Sequence, residues 1–553
     1  MNSQTTYPTP LNSIETSSND EVRGWVEEIE HGCVVIVRSA SKRIRIDCSA
    51  ESLRGVFEVL RPEFVIRTRV KCAGNVESVD ENTLFRACTL EILSRSDVPP
   101  FLPRGAFAAL PAARARYRYL DFRSDAMQRI FRTRHRLVVE LSKILDSHGF
   151  ISVDTPLLAT PSTTGAREFR VQGKTTNRSY ALPQSAQMYG QLLVAGGVER
   201  YYQWSRCFRD EDLRANRQPE FTQLHLEMAF IDGTGLRRLI EKTLIEVSIS
   251  LGRRVSSPFP VLPYHDAIER FGDDKPDLRY GLEMTSLPFS VSGANRGGSL
   301  VQLSWDGRLP TTRDLLTALP SLCEKYGLLC QGYLPKSVFR ERFLPRHLAR
   351  AELKAMPGYS SEPQVDRYPL LYGEHEKVTQ LHQDCYRKLL STEPFSDAGL
   401  AFAWVTDFPL FCEVPEQPGR IQTMNSPFVA PSDRDALLGT RKHRDLLRLS
   451  STSFDLVLNG DEIASGSSVI HEPDVQRVVF DALGLSRKEL RAAYGYWMDA
   501  LRFGVPPMTG MGIGLERLLA AYLGEAKIRS VMAFPKTKQG YCPVTNEDSF
   551  STS

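Results

Sequence analysis

Arg206-Cys-Phe-Arg-Asp-Glu-Asp-Leu-Arg-Ala-Asn-Arg-Gln-Pro-Glu-Phe-Thr-Gln-Leu-His225 is the stretch that decides the fold. After its first phenylalanine it sets three arginines (Arg209, Arg214, Arg217) among four acids (Asp210, Glu211, Asp212, Glu220). A solvated surface rarely carries such a run together with an embedded Gln-Pro-Glu-Phe-Thr-Gln. Arginine forks bind phosphate oxygens, and carboxylates bind magnesium and orient adenine and ribose. The stretch therefore predicts an ATP site.

Composition places that site in a large soluble protein of several domains. The chain has 553 residues, too many for one core, so two to four domains are expected. It is 42% hydrophobic and carries a net charge of +3, so no overall attraction to nucleic acid is expected. Ten cysteines without a C-x-x-C pair suggest neither disulfides nor a zinc site, and the absence of a long apolar run suggests no membrane span. A reducing cytoplasmic location fits this composition.

Hydrophobic patterning divides the first part of the chain. Residues 1–20 are rich in Ser, Thr and Asn and predict a disordered tail. Residues 21–96 alternate apolar and polar positions, as in Cys33-Val-Val-Ile-Val37, which predicts a small antiparallel barrel. A proline-rich linker is predicted over 97–116. The spacing then predicts a helix over 128–148, with Gly149 as its C-cap and one face formed by Ile130, Leu137, Leu141 and Ile144.

The remaining chain predicts an interrupted domain. Residues 117–254 and 396–540 are interpreted as its two parts, residues 255–395 as an irregular insertion, and residues 541–553 as a C-terminal tail. Within the second part, 401–405 and 454–458 predict buried strands and 487–501 predicts a helix. Gly510 to Tyr522 begins glycine-rich and is predicted to become helical.

Three separated segments carry a family resemblance. Gly149-Phe-Ile-Ser-Val-Asp-Thr-Pro156, the opening stretch, and Gly510-Met-Gly-Ile-Gly-Leu-Glu-Arg517 resemble, in order, motifs 1, 2 and 3 of class II aminoacyl-tRNA synthetases in their bacterial aspartyl form. Other segments of the sequence, such as Asp274-Lys-Pro-Asp-Leu-Arg279 and Ala533-Phe-Pro-Lys536, are also similar to the bacterial aspartyl enzymes. The resemblance implies an α+β chain: an N-terminal OB-fold barrel, an antiparallel-sheet catalytic domain with helices, and an inserted GAD-like domain. Motif 1 builds a dimer interface in that class, which implies a homodimer.

The resemblance also implies a chemistry and its residues. A carboxylate attacks the α-phosphate of ATP, giving an acyl-adenylate and pyrophosphate, and the protein positions the reactants and neutralises charge. Arg209 and Arg517 match the catalytic arginines on the α-phosphate and on the γ-phosphate side. The implied ATP and Mg²⁺ residues are Glu211 and Gln218 around the nucleotide, Phe221 stacked on adenine, and the acid pair Asp455 and Glu462 holding Mg²⁺.

The residues that match the family's amino-acid pocket depart from the family pattern. Gly190 replaces the Lys, and Val469 the Arg, that read the aspartate side chain in the family. Thr164 replaces a Glu, and His225 replaces the Asp that receives the substrate ammonium, while Ser185 and Gln187 remain. Each charge-assisted hydrogen bond to a carboxylate contributes roughly 1.5–3 kcal/mol. Losing both cations is therefore expected to weaken aspartate binding by about 10²–10⁴-fold.

The barrel departs as well. Gly24-Trp-Val26 leads into the acidic Glu27-Glu-Ile-Glu30, where the family has an arginine-rich run. Ile36 stands near the position of a base-stacking Phe, and Arg45 near that of an anticodon-reading Gln. Single-strand recognition uses a basic groove with aromatic platforms. Arg43, Arg45, Arg67 and Lys71 are the candidates for a basic strip.

Three hypotheses follow. The leading one is an ATP- and Mg²⁺-dependent ligase that adenylates a carboxylic or amino acid other than aspartate and transfers it to a tRNA end or a small molecule. The second is a genuine but divergent aspartate–tRNA ligase. The third is a non-catalytic RNA-binding or regulatory paralog. An acid identity and an acceptor do not follow from the residues.

Overall fold

A closed five-stranded barrel forms near the N-terminus. The structure is a computed structural model that describes residues 20–39, 42–72, 83–161, 167–174, 178–279, 281–287, 290–291, 299–304, 312–334, 347–348, 368–392, 399–415, 417–440 and 442–545. The predicted tail, apart from Asp20, and most of the predicted C-terminal tail lie outside these residues, as does Thr164. The barrel strands, in chain order, are Asp20–Glu30, Val34–Ser39, Lys42–Asp47, Val65–Cys72 and Leu84–Ser94. Alternate apolar side chains fill its interior, among them Val26, Val35, Ile46 and Ile66, all fully buried.

One seam of the barrel corrects the sequence-based prediction. The sheet order is first, second, third, fifth, fourth, and the third and fifth strands pair in parallel, with Arg45 opposite Leu84. The prediction of a barrel was confirmed, but the prediction that all its strands are antiparallel was wrong at this seam. Alternation determines which face a side chain takes, whereas it carries no information on which distant strand becomes the neighbour.

An eight-stranded sheet forms the second framework. Its six middle strands run antiparallel to one another, and each edge strand pairs in parallel with the strand beside it. The predicted buried strands are confirmed, since every residue of Phe402–Thr406 and Phe454–Leu458 is buried. In sheet order the strands are Val261–Pro263, Phe402–Thr406, Phe454–Leu458, Asp461–Ser468, Met508–Gly514, Glu220–Ala229, Arg200–Phe208 and Ile151–Ser152.

The predicted helices are present, and their ends lie within three residues of the predicted bounds. The first spans Asp125–Ser147, and Gly149 follows it with a left-handed φ of +76°. Ile130, Leu137 and Leu141 are buried as expected, whereas Leu145 rather than Ile144 completes the buried face. The second, Arg487–Arg502, starts at a capping box made by Ser486 and Glu489. The others are Arg54–Phe57, Pro111–Arg116, Arg118–Asp121, Gln187–Ala195, Gly233–Ser250, Tyr264–Phe271, Arg434–Gly439, His443–Leu446, Pro473–Ala482, Leu515–Leu523 and Ile528–Val531.

The region predicted as an insertion contains its own small sheet. Four antiparallel strands lie in the order Glu283–Leu287, Ser299–Ser304, Tyr368–Gly373, Leu329–Leu334. Helices Thr312–Tyr326 and His375–Thr392 contribute Leu319 and Leu381 to its separate core. Three two-stranded pairs complete the described strands: Ser290–Val291 with His347–Leu348, Phe411–Val414 with Gln417–Thr423, and Arg170–Gln172 with Ser179–Ala181.

Two compact units divide the described chain. One holds the residues up to Arg132 together with those from Tyr541 onward, and the other is Thr133–Gly540. The finer domain boundaries given above stay predictions. Among the described residues, no helix has the length and apolar character that crossing a bilayer requires.

His382 should make the small four-stranded region sensitive to acid. Its imidazole is buried and its Nε2 donates to the Leu282 carbonyl at 3.0 Å; burial lowers the pKa of the ring. Because the unfolded ring titrates near pH 6.5, the unfolded state binds the proton better, so stability is lost as the pH falls below about 6.5. A tenfold difference in proton affinity between the two states corresponds to about 1.4 kcal/mol of stability. We expect His382→Gln to lose less thermal stability than the parent between pH 7.5 and 5.5; equal losses would contradict this.

Candidate active site

Five adjacent strands of the large sheet bring the predicted site residues together. Glu220–Ala229 lies between Arg200–Phe208 and Met508–Gly514, and Asp461–Ser468 with Phe454–Leu458 follow on the far side of Met508–Gly514. We call the last two strands the acid hairpin, because they carry Asp455 and Glu462. A sheet interior holds such side chains rigidly, which suits a site that works by positioning.

Arg209 and Phe221 lie against each other. Arg209 directly follows its strand, and its backbone N–H donates to the Pro219 carbonyl at 2.9 Å, which closes the intervening loop. The guanidinium carbon is 5.2 Å from the centre of the Phe221 ring, within cation–π range. The side chains predicted to bind phosphate and to stack on adenine are therefore in contact with each other.

Glu211 and Gln218 have partners within the same loop region. Glu211 accepts a hydrogen bond from Arg217 at 2.9 Å. Gln218 is buried; its Oε1 accepts from the Lys536 backbone N–H at 2.7 Å and its Nε2 donates to the Lys536 carbonyl at 3.3 Å. Gln218 thus joins the loop to the segment 533–536, and its contact with a nucleotide stays a prediction.

A cavity of about 470 Å³ opens beside this loop. That volume falls in the range of small-molecule sites. Its wall combines apolar side chains with both signs of charge: Phe169, Leu182, Phe208, Asp210, Glu211, Leu213, Pro219, Glu220, Lys536, Lys538, Gln539 and Gly540. Lys538 and Gln539 had no role in the sequence-based prediction, because the loop that carries them is remote in sequence and has no motif of its own.

Asp455 and Glu462 resemble a site for a divalent cation whose remaining ligands come from a bound phosphate and from water. Asp455 is buried, and its Oδ1 has no hydrogen-bond partner among the described residues. Burial, together with the charge of Glu462, raises the pKa of the Asp455 carboxyl. No cluster of three or more His, Cys, Asp or Glu within the described ranges is arranged to hold a metal. The pair fits Mg²⁺, which is commonly held by one or two carboxylates, with phosphates and waters as the other ligands.

Arg517 connects the acid hairpin to the arginine-rich loop. It lies on helix Leu515–Leu523, directly after strand Met508–Gly514. Its Nη1 donates to the Glu462 carbonyl and lies 3.9 Å from Glu462 Oε1, while its Nε donates to the Asn216 carbonyl at 3.3 Å. The two predicted catalytic arginines are therefore held at either end of one loop.

Gly190 and His225 meet at a different part of the sheet. Gly190 is buried in helix Gln187–Ala195, and a Cβ built there would lie 2.6 Å from Tyr201 Cε1 and 3.3 Å from His225 Nε2. His225 is also buried, with Nε2 3.2 Å from Glu227 Oε1. Of the retained polar pair, Ser185 Oγ accepts from the Gln187 backbone N–H at 3.4 Å.

Val469 packs in an apolar cluster. It is 2% exposed and shares the cluster with Tyr201, Phe428 and Met508. Its backbone N–H donates to the Met508 carbonyl at 2.9 Å. The position where the family pattern has an arginine is thus filled by hydrocarbon packing.

Glu227 is a buried acid that sequence reasoning missed. It is 1% exposed, its Oε2 has no partner among the described residues, and burial raises the pKa of its carboxyl, opposed by His225. The available signal was the spacing, because alternate residues of a strand share a face. An acid two residues after His225 had to lie beside it.

The chain is similar to known proteins over almost all of its length. The family model of the tRNA synthetases class II (D, K and N) matches residues 111–538. The chain is 34% identical to the aspartate–tRNA(Asp/Asn) ligase of Syntrophomonas wolfei, over 96% of this chain and 94% of the relative. It is 32% identical to the aspartate–tRNA ligase of Fervidobacterium nodosum, over 98% and 96%.

Solved structures of low identity support the fold. The asparaginyl-tRNA synthetase of Pyrococcus horikoshii, complexed with asparaginyl-adenylate, matches with a TM-score of 0.61 at 17% identity, covering 97% of this chain and 100% of that one. The asparaginyl-tRNA synthetase of Entamoeba histolytica matches with a TM-score of 0.58 at 16% identity. The motif order, the α+β architecture with its N-terminal barrel, and the family match over most of the chain together lead to one conclusion: the chain belongs to the class II aminoacyl-tRNA synthetases of the D, K and N group.

Proposed function

We propose that this protein is an ATP-dependent ligase that adenylates a carboxylic or amino acid other than aspartate and transfers the acyl group to an acceptor. The observation that carries the proposal is a contrast within one sheet. Arg209, Arg517, Asp455 and Glu462 lie together on and beside neighbouring strands, whereas positions 190 and 469 are closed by packing. The residues that match the family's adenylation residues are retained, whereas the lysine and arginine that read an acidic substrate side chain in the family are replaced.

The chain's own residues suit the first half-reaction. A substrate carboxylate oxygen forms a bond to the α-phosphorus of ATP, and the bond from that phosphorus to the bridging oxygen breaks, so pyrophosphate leaves. Arg209 offers a planar two-pronged donor to the α-phosphate, where negative charge develops. Arg517 supplies a second cation from the opposite end of the loop. Mg²⁺, when held by Asp455 and Glu462, supplies further neutralisation of the phosphates.

Packing at position 190 argues against an aspartate pocket. Any side chain there starts with a Cβ 2.6 Å from the Tyr201 ring, so a lysine requires that the ring move. Tyr201 is fully buried and its hydroxyl donates to Gln203 Oε1 at 2.8 Å, which opposes that movement. An aspartate β-carboxylate placed there would lose its water without gaining a lysine or arginine partner.

A pyrophosphate-exchange panel over amino acids and other carboxylic acids tests the proposal. We expect exchange with at least one acid that has no charged side chain, and at most trace exchange with aspartate. Arg209→Ala serves as the control against a contaminating synthetase. Strong aspartate-dependent exchange at ordinary concentrations, lost in that variant, would overturn the altered specificity.

A second candidate is a divergent aspartate–tRNA ligase. The observation that favours it is 34% identity with an aspartate–tRNA(Asp/Asn) ligase across 96% of the chain. It predicts charging of tRNA with aspartate by the purified protein. The panel and this charging assay therefore separate the two candidates, and exchange with no acid at all would favour a non-catalytic paralog.

The charges on the barrel bear on tRNA as an acceptor. Three of the predicted strip cations are paired: Arg43 with Glu27 at 2.7 Å, Arg45 with Glu30 at 2.7 Å, and Arg67 with Glu91 at 2.5 Å. Ile36, near the position of the stacking aromatic, is 9% exposed. Because these three arginines are paired, they support only weak binding of a polyanion.

Freeing one of these arginines should strengthen tRNA binding. We expect Glu30→Gln to raise affinity for bulk tRNA about twofold to fivefold, because Arg45 becomes available for phosphate. Arg45→Gln should lower affinity by less than about threefold, because its charge is already used. Fluorescence anisotropy at one fixed salt concentration measures both. A tenfold loss in Arg45→Gln would mean that the arginine contacts RNA directly despite its partner.

A further inference from the structure

Residues 273–279, Asp-Asp-Lys-Pro-Asp-Leu-Arg, lie against the acid hairpin; we call them the Lys275 loop. Lys275 Nζ is 2.7 Å from Asp274 Oδ2 and 3.7 Å from Glu462 Oε2, and Asp455 is also within its electrostatic reach. The lysine side chain is only 31% exposed. A segment from the start of the region predicted as an insertion thus contributes a cation to the site.

The loop is fastened to the turn of the acid hairpin. Arg279 donates to Asp277 through Nε at 2.9 Å and through Nη2 at 2.5 Å, and the same Nη2 reaches the Asn459 carbonyl at 3.4 Å. Asn459 occupies that turn with a left-handed φ of +54°, and its Oδ1 accepts from the Ala401 backbone N–H at 2.9 Å. Pro276 further restricts the backbone next to the lysine. The Lys275 side chain is therefore already largely ordered in the folded protein, so binding a ligand costs little further conformational entropy.

The Glu462 carboxylate has a cation near each oxygen. Arg517 Nη1 lies 3.9 Å from Oε1, and Lys275 Nζ lies 3.7 Å from Oε2. Lys275 also pairs with Asp274, so its ammonium is held between two carboxylates beside the acid pair, where a polyphosphate would join the acids. A lysine ammonium is a compact point charge that binds phosphate oxygens well.

We propose that Lys275 binds the β- and γ-phosphates of ATP and neutralises the pyrophosphate as it leaves. This inference rests on the proposed adenylation. Its physical basis is that the breaking bond leaves its electron pair on the pyrophosphate, so a fixed cation there gains interaction energy as the reaction proceeds. Asp277 and Arg279 act as positioning residues, because they hold the loop on the hairpin.

Comparison of ATP with AMP tests the proposal, since AMP lacks the two phosphates in question. Calorimetric titrations of the full chain, in magnesium buffer, give both affinities. We expect Lys275→Met to weaken ATP binding about 10–100-fold and to change AMP binding less than twofold. Lys275→Arg should retain most of the ATP affinity, and Arg279→Met should lose part of it. Lys242→Met is the matched control, because Lys242 is 65% exposed and its partner Glu246 lies 3.8 Å away on the same helix.

Each outcome is informative. Unchanged AMP affinity in Lys275→Met demonstrates that the variant is folded and that the loss is specific to the triphosphate. Equal losses for ATP and AMP would mean that Lys275 only stabilises the acid hairpin, and no loss for either would mean that it has no part in binding; both overturn the inference alone. A parent protein that binds neither nucleotide would overturn the proposed function as well.

Discussion

Arg209→Ala should lower the rate of pyrophosphate exchange by about 10³-fold, measured with the acid that the panel identifies. Removing one preorganised donor from a developing anion typically reduces turnover by about 10²–10³-fold, and Arg209 provides both charge and a two-pronged geometry. Arg209→Lys should recover little, because an ammonium lacks that planar fork.

Stability measurements distinguish this effect from misfolding. Arg209 and Phe221 are both partly buried, and a cation–π contact at such a site contributes about 0.5–1 kcal/mol, so the melting temperature of Arg209→Ala should change little. Arg206→Ala provides a matched control three residues earlier on the strand; its partner Glu220 is 36% exposed, and exchange should remain near the parent rate. An exchange rate in Arg209→Ala within about tenfold of the parent rate would show that Arg209 does not stabilise the α-phosphate as proposed.

Gly510→Ala should destabilise the protein by about 3 kcal/mol or more, one of the largest effects expected from a single methyl group. A Cβ at position 510 would lie 1.9 Å from Glu227 Oε2 and 2.2 Å from its Cδ. The Glu227 side chain is 1% exposed and is held by His225, so it has little room to move. Urea unfolding, followed by intrinsic fluorescence, measures the loss.

Two comparisons make this prediction specific. Gly514→Ala, at the end of the same strand, should lose less than about 1 kcal/mol, since its Cβ meets nothing closer than 3.6 Å. Adding Glu227→Ala to Gly510→Ala should recover part of the loss, because residues in contact do not act additively. If Gly510→Ala and Gly514→Ala lose the same stability, close packing on Glu227 is not what requires a glycine at position 510.

Much of the framework was predictable, because it is encoded in local spacing. Period-two alternation predicted the barrel, short apolar runs predicted the buried strands at 401–405 and 454–458, and helical spacing predicted the helices at 128–148 and 487–501. The parallel seam between the third and fifth barrel strands was not predictable, since nothing local specifies a distant partner. The predicted basic strip proved to be paired, because the carboxylates of Glu27 and Glu30 on the first barrel strand reach Arg43 and Arg45 on the third.

The sequence by itself determined the family and the class of reaction expected of it, because three motifs in order can be read without coordinates. It also predicted an altered substrate pocket, from Gly190 and Val469 at positions where the family pattern has a lysine and an arginine. The tertiary structure decided how those residues act on one another. Only contacts in the folded chain reveal that Gly510 packs closely on Glu227, that Tyr201 closes the space beside Gly190, and that Lys275 lies on the acid hairpin. The physical reason is that charge and packing depend on distance in space, and the sheet brings together residues hundreds of positions apart.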